Sequence, residues 1–394
     1  MLEVSEDTLA ILKNINFESK VYETYKHEIL NEFIEKNKHL AVQGSPAWLA
    51  DRVYSIGGSE MSTITGENPY SNIEKLVALK TGFSKFSGNI ATRWGKLFEF
   101  TTQMITSIIF DINIKETGSL EGAVPSQKYS PDGLAVMKVQ FDETINNERI
   151  ETNEFCIVLF EFKSPLLSIP DGSIPKHYLP QVKTGLCSIG ITDFALYISN
   201  MFRKCSFGDL DLSAKYDTYF HNKDAQKINV ERALAFGVII FYKPDCQSAE
   251  APKDFGLSNY YEFNEVLELF ENKTILAKYC KPHILAEYNN NEFLQAQNIN
   301  KGNDDYSESL KSYKEQINGI PEGKIIGYLP WKLIKSDIIY QQREVGYVEK
   351  YIDVIQSTID IIKKINQSDD RAAEFISQFP KNKIFKNYME FAHK

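Results

Sequence analysis

Apolar positions along this chain follow two periods, and the switches between them divide it into elements. In residues 21 to 36, Val21, Tyr22, Tyr25, Ile29, Phe33 and Ile34 recur at the spacing of one helical face, with acids and lysines between them; this predicts an amphipathic N-terminal helix. The run Gln43-Gly44-Ser45-Pro46-Ala47-Trp48 breaks that pattern, and Ser45 followed by Pro46 is a helix-starting pair, predicting a second helix through Arg52. From Arg93 to about Phe110, the residues Trp94, Leu97, Phe98, Met104, Ile105, Ile108 and Ile109 trace one stripe, while Gly95, Glu99, Thr102 and Gln103 occupy another face.

The central region changes to strand character. Ser130-Pro131-Asp132-Gly133-Leu134-Ala135-Val136 reads as a turn running into an apolar strand, and Cys156 to Phe162 is almost wholly apolar. Residues 141 to 154, rich in Asn, Glu and Thr, are expected to form an exposed hairpin tip. After Pro175 come a helix from Tyr178 to about Ile189, a strand from Phe194 to Ile198 and another from Ala235 to Tyr242. Beyond that the pattern is mostly helical, at 259 to 287 and 346 to 366, with the Asn-rich segment 289 to 318 expected as a surface connection. The elements predict an α/β fold: a mixed sheet flanked by helices at residues 41–245, a helical lead-in at 1–40 and a mostly helical C-terminal region at 246–394.

Composition narrows the class. The 394 residues are 43% hydrophobic and 25% charged, the balance of a folded globular chain. The N-terminus is acidic and lacks a basic, then apolar, leader, and no run approaches the roughly 20 apolar residues that span a bilayer, so an intracellular protein without a membrane partner is expected. Cys156, Cys187, Cys205, Cys246 and Cys280 are scattered, and the six histidines do not cluster, which excludes a zinc or iron–sulfur spacing. A net charge of −9 argues by itself against a polyanionic partner, although a single basic groove beside metal-binding carboxylates is compatible with it.

The candidate chemistry lies in the strands. Along Phe160-Glu161-Phe162-Lys163 the two aromatics share one face and Glu161 and Lys163 share the other, placing an acid beside an amine. On this segment alone, a surface ion pair at a strand end explains the two charges equally well. Asp132 tips the reading, because it leads another apolar strand, and adjacent strands could set its carboxylate beside that of Glu161. Two carboxylates roughly 5 Å apart repel by about 3 kcal/mol at an effective dielectric near 20, which a divalent cation relieves. Oxygen ligands suit Mg²⁺ or Mn²⁺, which polarise a phosphate, while a lysine can orient or help deprotonate the attacking water.

Five ordered motifs resemble a known family. Trp48-Leu49-Ala50-Asp51-Arg52 with Gly57-Gly58-Ser59-Glu60, then Arg93-Trp94-Gly95-Lys96 with Glu99, Ser130-Pro131-Asp132-Gly133-Leu134, Phe160-Glu161-Phe162-Lys163-Ser164-Pro165, and Tyr178-Leu179-Pro180-Gln181-Val182 are similar to the YqaJ-like viral recombinases, which include lambda-type exonuclease. The resemblance covers about residues 43 to 200. Gly327-Tyr328-Leu329-Pro330-Trp331-Lys332 resembles, more weakly, the C-terminal part of versions carried by large DNA viruses.

The resemblance implies a PD-(D/E)XK restriction-endonuclease-like core. It further implies that Asp132 and Glu161 bind Mg²⁺, with Mn²⁺ as a substitute and the Phe162 carbonyl as a further ligand. Lys163 would serve the water, and Glu99 would complete the acidic pocket; without the motif, Glu99 reads as a solvated helix glutamate. Arg52 and Ser59 would hold the 5′-terminal phosphate of DNA, with Ser130 contributing and with a hydroxyl or backbone N–H near Gly57-Gly58 approaching the anion. Alone, Arg52 reads as a surface ion pair. Gln181 would stand near the reacting centre with Tyr178 as a secondary candidate, and Trp48 and Trp94 are expected to pack in the core.

The implied activity is Mg²⁺-dependent 5′–3′ exonucleolysis of double-stranded DNA with phosphorylated ends, in recombination, repair or processing of replication intermediates. A structure- or sequence-specific endonuclease with the same centre, or a catalytically silent DNA-binding protein, are the alternatives. Implied partners are DNA ends, a single-strand annealing protein and further copies of the chain, in host cytoplasm or nucleus if the source is viral. The chain departs from compact members in the 29 positions separating Asp132 from Glu161, which an extended hairpin would absorb.

Overall fold

The computed structural model describes residues 5–381, apart from 8–9, 11–15, 42–43, 86–87, 146–147, 211–232, 244–251, 302–305 and 320–323. Gln43, Cys246 and the turn of the central hairpin lie outside the described residues. Helix α1 (Lys20–Asn37) starts where the Ser19 hydroxyl accepts from the Tyr22 N–H, and α2 (Pro46–Asp51) where Ser45 accepts from Trp48 with proline in the first turn. There follow β1 (Ile56–Gly57), α3 (Met61–Ile64), α4 (Ile73–Lys80) and the long α5 (Ile90–Phe110). Helix α5 buries Trp94, Leu97, Phe98, Ile105 and Ile109, the stripe that the sequence predicts.

Next come β2 (Leu120–Glu121), β3 (Gln127–Tyr129), β4 (Gly133–Ile145), β5 (Glu148–Lys163), α6 (Leu179–Ser188), β6 (Phe194–Lys204) and β7 (Ala235–Tyr242). The C-terminal part supplies β8 (Lys253–Asp254), α7 (Tyr260–Glu271), β9 (Leu276–Tyr279), β10 (His283–Ile284), α8 (Glu292–Ala296), α9 (Tyr306–Asn318), β11 (Ile325–Gln342), α10 (Ile352–Gln367) and α11 (Arg371–Gln378). Strands β1, β3 and β2 make a small sheet. The main sheet has the order β10-β7-β11-β6-β5-β4, with β9 paired to β7 and β8 to β11. Its β5–β6 pair is parallel, with α6 in the crossover, and β4–β5, β6–β11 and β11–β7 are antiparallel.

Both faces of this mixed sheet are covered, which is why its strands read as continuous apolar runs. Ala135, Met137, Val158 and Phe160 join Leu97, Phe98 and Ile105 of α5 in one core, while Leu134, Val136, Ile157 and Leu159 join Leu30 of α1 and Val182 and Leu186 of α6 in another. A further core sets Ile355, Ile359 and Ile362 of α10 against Leu76 and Val77 of α4 and Ile56 and Met61.

Five expectations need revision. The polar stretch 141 to 154 is mostly paired strand, because β4 and β5 stay in register from Gly133↔Phe160 out to Ile145↔Glu148, so the backbone ladder continues after the apolar pattern stops. Strand β6 likewise runs on to Lys204. Residues 259 to 287 are not one helix: α7 stops before Lys273, whose φ of 58° is left-handed, and the chain returns as β9 and β10. The 289 to 318 segment is no plain surface connection either, since it carries α8 and α9, which bury Leu294 and Tyr313.

The largest difference is β11. Helices provide most regular structure after residue 245, but this 18-residue strand sits between β6 and β7, so the sheet draws on both sides of that position. Pro330 disguises it, since proline is disfavoured in central strands; the strand also shifts register at Ile325/Gly327 and Leu333/Lys335. Among the described residues no helix is long and apolar enough to cross a membrane.

Trp331 of β11 is 1% exposed and packs on Phe98 and Phe202, and a Cβ on Gly237 would fall 2.4 Å from its ring. Trp331→Ala should therefore lower stability by about 3–5 kcal/mol. Denaturant unfolding with an unchanged midpoint would show that β11 is dispensable to the sheet.

Candidate active site

The register of the β4–β5 hairpin builds the centre. Gly133 pairs with Phe160, so Asp132, one step before it, stands opposite Glu161, one step after. The Phe162 N–H donates to Asp132 Oδ2 at 2.8 Å and fixes that carboxylate against the strand. Phe160 and Phe162 stack on the α5 side, and Glu161 continues the row of Ile157 and Leu159 on the opposite face. Lys163 Nζ donates to Glu161 Oε1 and lies 3.9 Å from Asp132 Oδ2. The expected acid–amine pairing is thus present, but Glu161 is fully buried rather than a surface partner.

A residue that the motifs did not single out completes the environment of Glu161. Tyr129, at the end of β3, donates its hydroxyl to Glu161 Oε2 at 2.9 Å. Its ring is held between two glycines, because a Cβ on either Gly58 or Gly185 would come within 2.4 Å of it. A tyrosine just ahead of the Ser130-Pro131-Asp132 turn carries no signal of its own in the sequence; only the small residues facing it mark the place.

Glu99 reaches the cleft through α5. Thr102, about one turn further on, hydrogen-bonds Ser164 Oγ at 3.1 Å, and Asn200 Nδ2 donates to the same threonine at 3.4 Å. This anchors the helix beside the end of β5. Gln181, at the start of α6, and Tyr178 line the same cleft, and Lys163 Nζ lies 5.2 Å from the Tyr178 ring centre. The cleft has a volume of about 400 Å³.

Arg52 lines the same cleft. Its guanidinium lies 4.4 Å from the Trp48 ring centre and against the bare Cα of Gly57, where a Cβ would sit 1.6 Å from Nη2. Trp48 is therefore a half-buried shelf for Arg52 and not a core residue, unlike Trp94, which is buried. Glu60 ties this lining together: it accepts from the Gly57 N–H at 2.7 Å, from Lys80 at 3.0 Å, and stands 3.6 Å from Arg52. The Gly57 N–H is thus engaged by Glu60 and not turned to an anion. Ser59 is exposed at the cleft, whereas Ser130 Oγ accepts from Trp48 Nε1 at 3.1 Å.

Electrostatics favour a cation here. Burial first, then the charge of Glu161, pushes the Asp132 carboxyl well above its ordinary range, against the opposing pull of Lys163. Glu99 is raised by burial, with Glu161 and Glu116 adding to it and Lys163 opposing. For Lys163, burial works downward, but Glu161 and Asp132 outweigh it and hold the ammonium protonated. Burial and both carboxylates keep the Tyr129 phenol protonated, so it remains a donor.

Three carboxylates facing one ammonium, all with oxygen donors, fit a hard divalent ion. Asp132 and Glu161 are side by side and would hold it, with the Phe162 carbonyl at the same strand end. Glu99 lines the cleft, but among the described residues no group of three Asp, Glu, His or Cys converges at ligating distance.

A carboxyl with a raised pKa contributes most stability below its unfolded value, near 4, and loses it as pH rises through the folded one. Asp132→Asn keeps an acceptor for the Phe162 N–H while removing the charge. It should raise the metal-free melting temperature at pH 8, by roughly 1 °C for each kcal/mol relieved in a chain of this length, abolish stabilisation by Mg²⁺, and melt with the wild type at pH 4. A lower midpoint at pH 8 with an intact Mg²⁺ response would contradict this electrostatic account.

Residues 47–193 match the family model of the YqaJ-like viral recombinase domain. A protein of African swine fever virus, from the Malawi tick isolate, is 30% identical over 272 residues, covering 65% of this chain and 76% of that protein. Its counterpart in the Vero-adapted Badajoz strain is 29% identical over the same length. Among solved structures, an alkaline exonuclease from Laribacter hongkongensis aligns with a TM-score of 0.30 and 17% identity, covering 40% of this chain and 74% of its own, a likeness too low to carry weight. On the strength of the viral relatives and the matched domain, the chain belongs to the YqaJ-like viral recombinase family of deoxyribonucleases.

Proposed function

We propose that this deoxyribonuclease is a Mg²⁺-dependent exonuclease that degrades one strand of double-stranded DNA 5′ to 3′ from a phosphorylated end. The observation that carries the reading is that one cleft is lined by Asp132 and Lys163, with Glu161 buried behind them, and also by Arg52 and Ser59. A terminal phosphate held by Arg52 and Ser59 would leave an adjoining phosphodiester near Asp132 and Lys163.

The residues divide the work. Arg52 is held flat on Trp48, and its loose 3.6 Å contact with Glu60 leaves its fork able to receive phosphate oxygens. Ser59 adds a hydroxyl. Asp132 and Glu161 would hold a divalent cation, which supplies charge to polarise the scissile phosphate and acidify water. Lys163 orients the attacking water and offsets charge on the phosphate; Gln181 and Tyr178 line the approach. Tyr129 keeps Glu161 aimed. The DNA end is the partner that this reading requires. The 3′ strand left behind suits a single-strand annealing protein, and further copies of the chain around the duplex would add processivity, in host cytoplasm or nucleus.

End-labelled linear duplex in Mg²⁺, against an EDTA control, checks the reading. Asp132→Ala should abolish degradation, by at least about 100-fold, the scale of losing metal-ion catalysis, while leaving DNA binding largely intact; unchanged degradation refutes the centre. Arg52→Ala should chiefly erase the preference for 5′-phosphate over 5′-hydroxyl ends, and equal loss on both ends counts against its role. Rapid cutting of covalently closed circles would replace the exonuclease reading with an endonuclease, and no cutting at all with a binding protein.

A further inference from the structure

An aromatic series leads outward from Lys163. The Tyr178 ring, 5.2 Å from Lys163 Nζ, is followed by His177 at 4.1 Å between ring centres, and His177 by Tyr70 edge-on at 5.8 Å. The series ends in solvent, since Tyr70 is 75% exposed. An exposed tyrosine is ordinary on a mobile loop, but the backbone under this one is fixed. The N–H groups of Tyr70 and Ser71 both donate to Asn68 Oδ1, Asn68 Nδ2 donates to Thr63 Oγ1, and Lys75 Nζ donates to the Tyr70 carbonyl.

A rigidly presented aromatic with an open face is the form of a stacking platform, because every nucleobase offers a π-face and the ring loses little freedom on contact. Burial first, and the charge of Lys163 second, keeps His177 below its ordinary pKa, so it enters the series as a neutral ring. Lys176 next to it is exposed and has no ion pair among the described residues, leaving a cation free for a backbone phosphate. We propose that Tyr70, backed by His177, stacks on an unpaired nucleobase of the DNA end at the mouth of the cleft. This rests on the nuclease reading above and adds to it a base-contacting step outside the metal and phosphate positions. Its use would be to hold the end unpaired while the strand is drawn to Asp132 and Glu161.

The test uses the full chain in EDTA, where DNA binds without being cut, and a 5′-phosphorylated duplex with 2-aminopurine in a short unpaired end. Wild type should quench the 2-aminopurine fluorescence; Tyr70→Phe should retain the quench, and Tyr70→Ala should lose it and weaken Kd by roughly 5- to 100-fold, the range for one stacked base. In Mg²⁺, Tyr70→Ala should raise KM by a similar factor with kcat little changed, and thermal melting should match the wild type because the ring is exposed. A Tyr70→Ala protein that quenches and binds like the wild type overturns the stacking step while leaving the nuclease reading intact. A wild-type chain that neither binds nor cuts DNA overturns the nuclease reading and the step with it.

Discussion

The constraint on which the rest depends is the burial of the Glu161 carboxylate. It is fully enclosed, in a strand row otherwise made of Ile157 and Leu159. An unpaired charge there would cost several kcal/mol, so the surroundings must satisfy it. Tyr129 and Lys163 each give it a hydrogen bond. Tyr129 in turn reaches it only because Gly58 and Gly185 leave room for its ring. Gly58 opens the short turn that ends in Glu60, which organises Arg52 and Lys80. One buried carboxylate thereby couples the β4–β5 hairpin, the α6 crossover and the Arg52 wall.

The C-terminal region belongs to that coupling rather than standing apart. Helix α10 packs on α4, and α4 delivers Lys80 to Glu60 and to the Arg52 carbonyl. Arg371 of α11 donates to the Thr81 carbonyl at the end of α4. Strand β11 runs beside β6, which is itself the parallel neighbour of β5. Both the Arg52 segment and the β5 end are therefore braced by residues after position 245, giving the extension a physical role in shaping the site.

Much of this is legible in the sequence because its causes are local. Strand alternation alone puts Glu161 and Lys163 on one face, the Ser45-Pro46 start locates α2, and the apolar stripe of α5 can be followed almost to its ends. The co-location of Asp132, Lys163, Glu99, Arg52, Ser59, Gln181 and Tyr178 around one cleft, with Glu161 buried behind it, follows from ordered motifs, not from periodicity. What is not legible is non-local. Tyr129 matters because of two glycines far away in sequence, Trp48 is a shelf because Arg52 folds back over it, and β11 is hidden by Pro330 and its shifts of register. Gly57 reads as an anion-binding amide, but its N–H is claimed by Glu60, whose carboxylate cannot be placed there from spacing alone.

Asp132 and Glu161 acting as a metal centre held by this buried network is the claim on which the functional reading turns. Calorimetric titration of the metal-free protein with Mn²⁺ at pH 8, in buffers of different ionisation enthalpy, measures it directly. The expected result is saturable binding with release of protons, as raised carboxyl pKa values require, and loss of that binding in Glu161→Gln. Equal Mn²⁺ binding by Glu161→Gln, or no binding by the wild type, would contradict it.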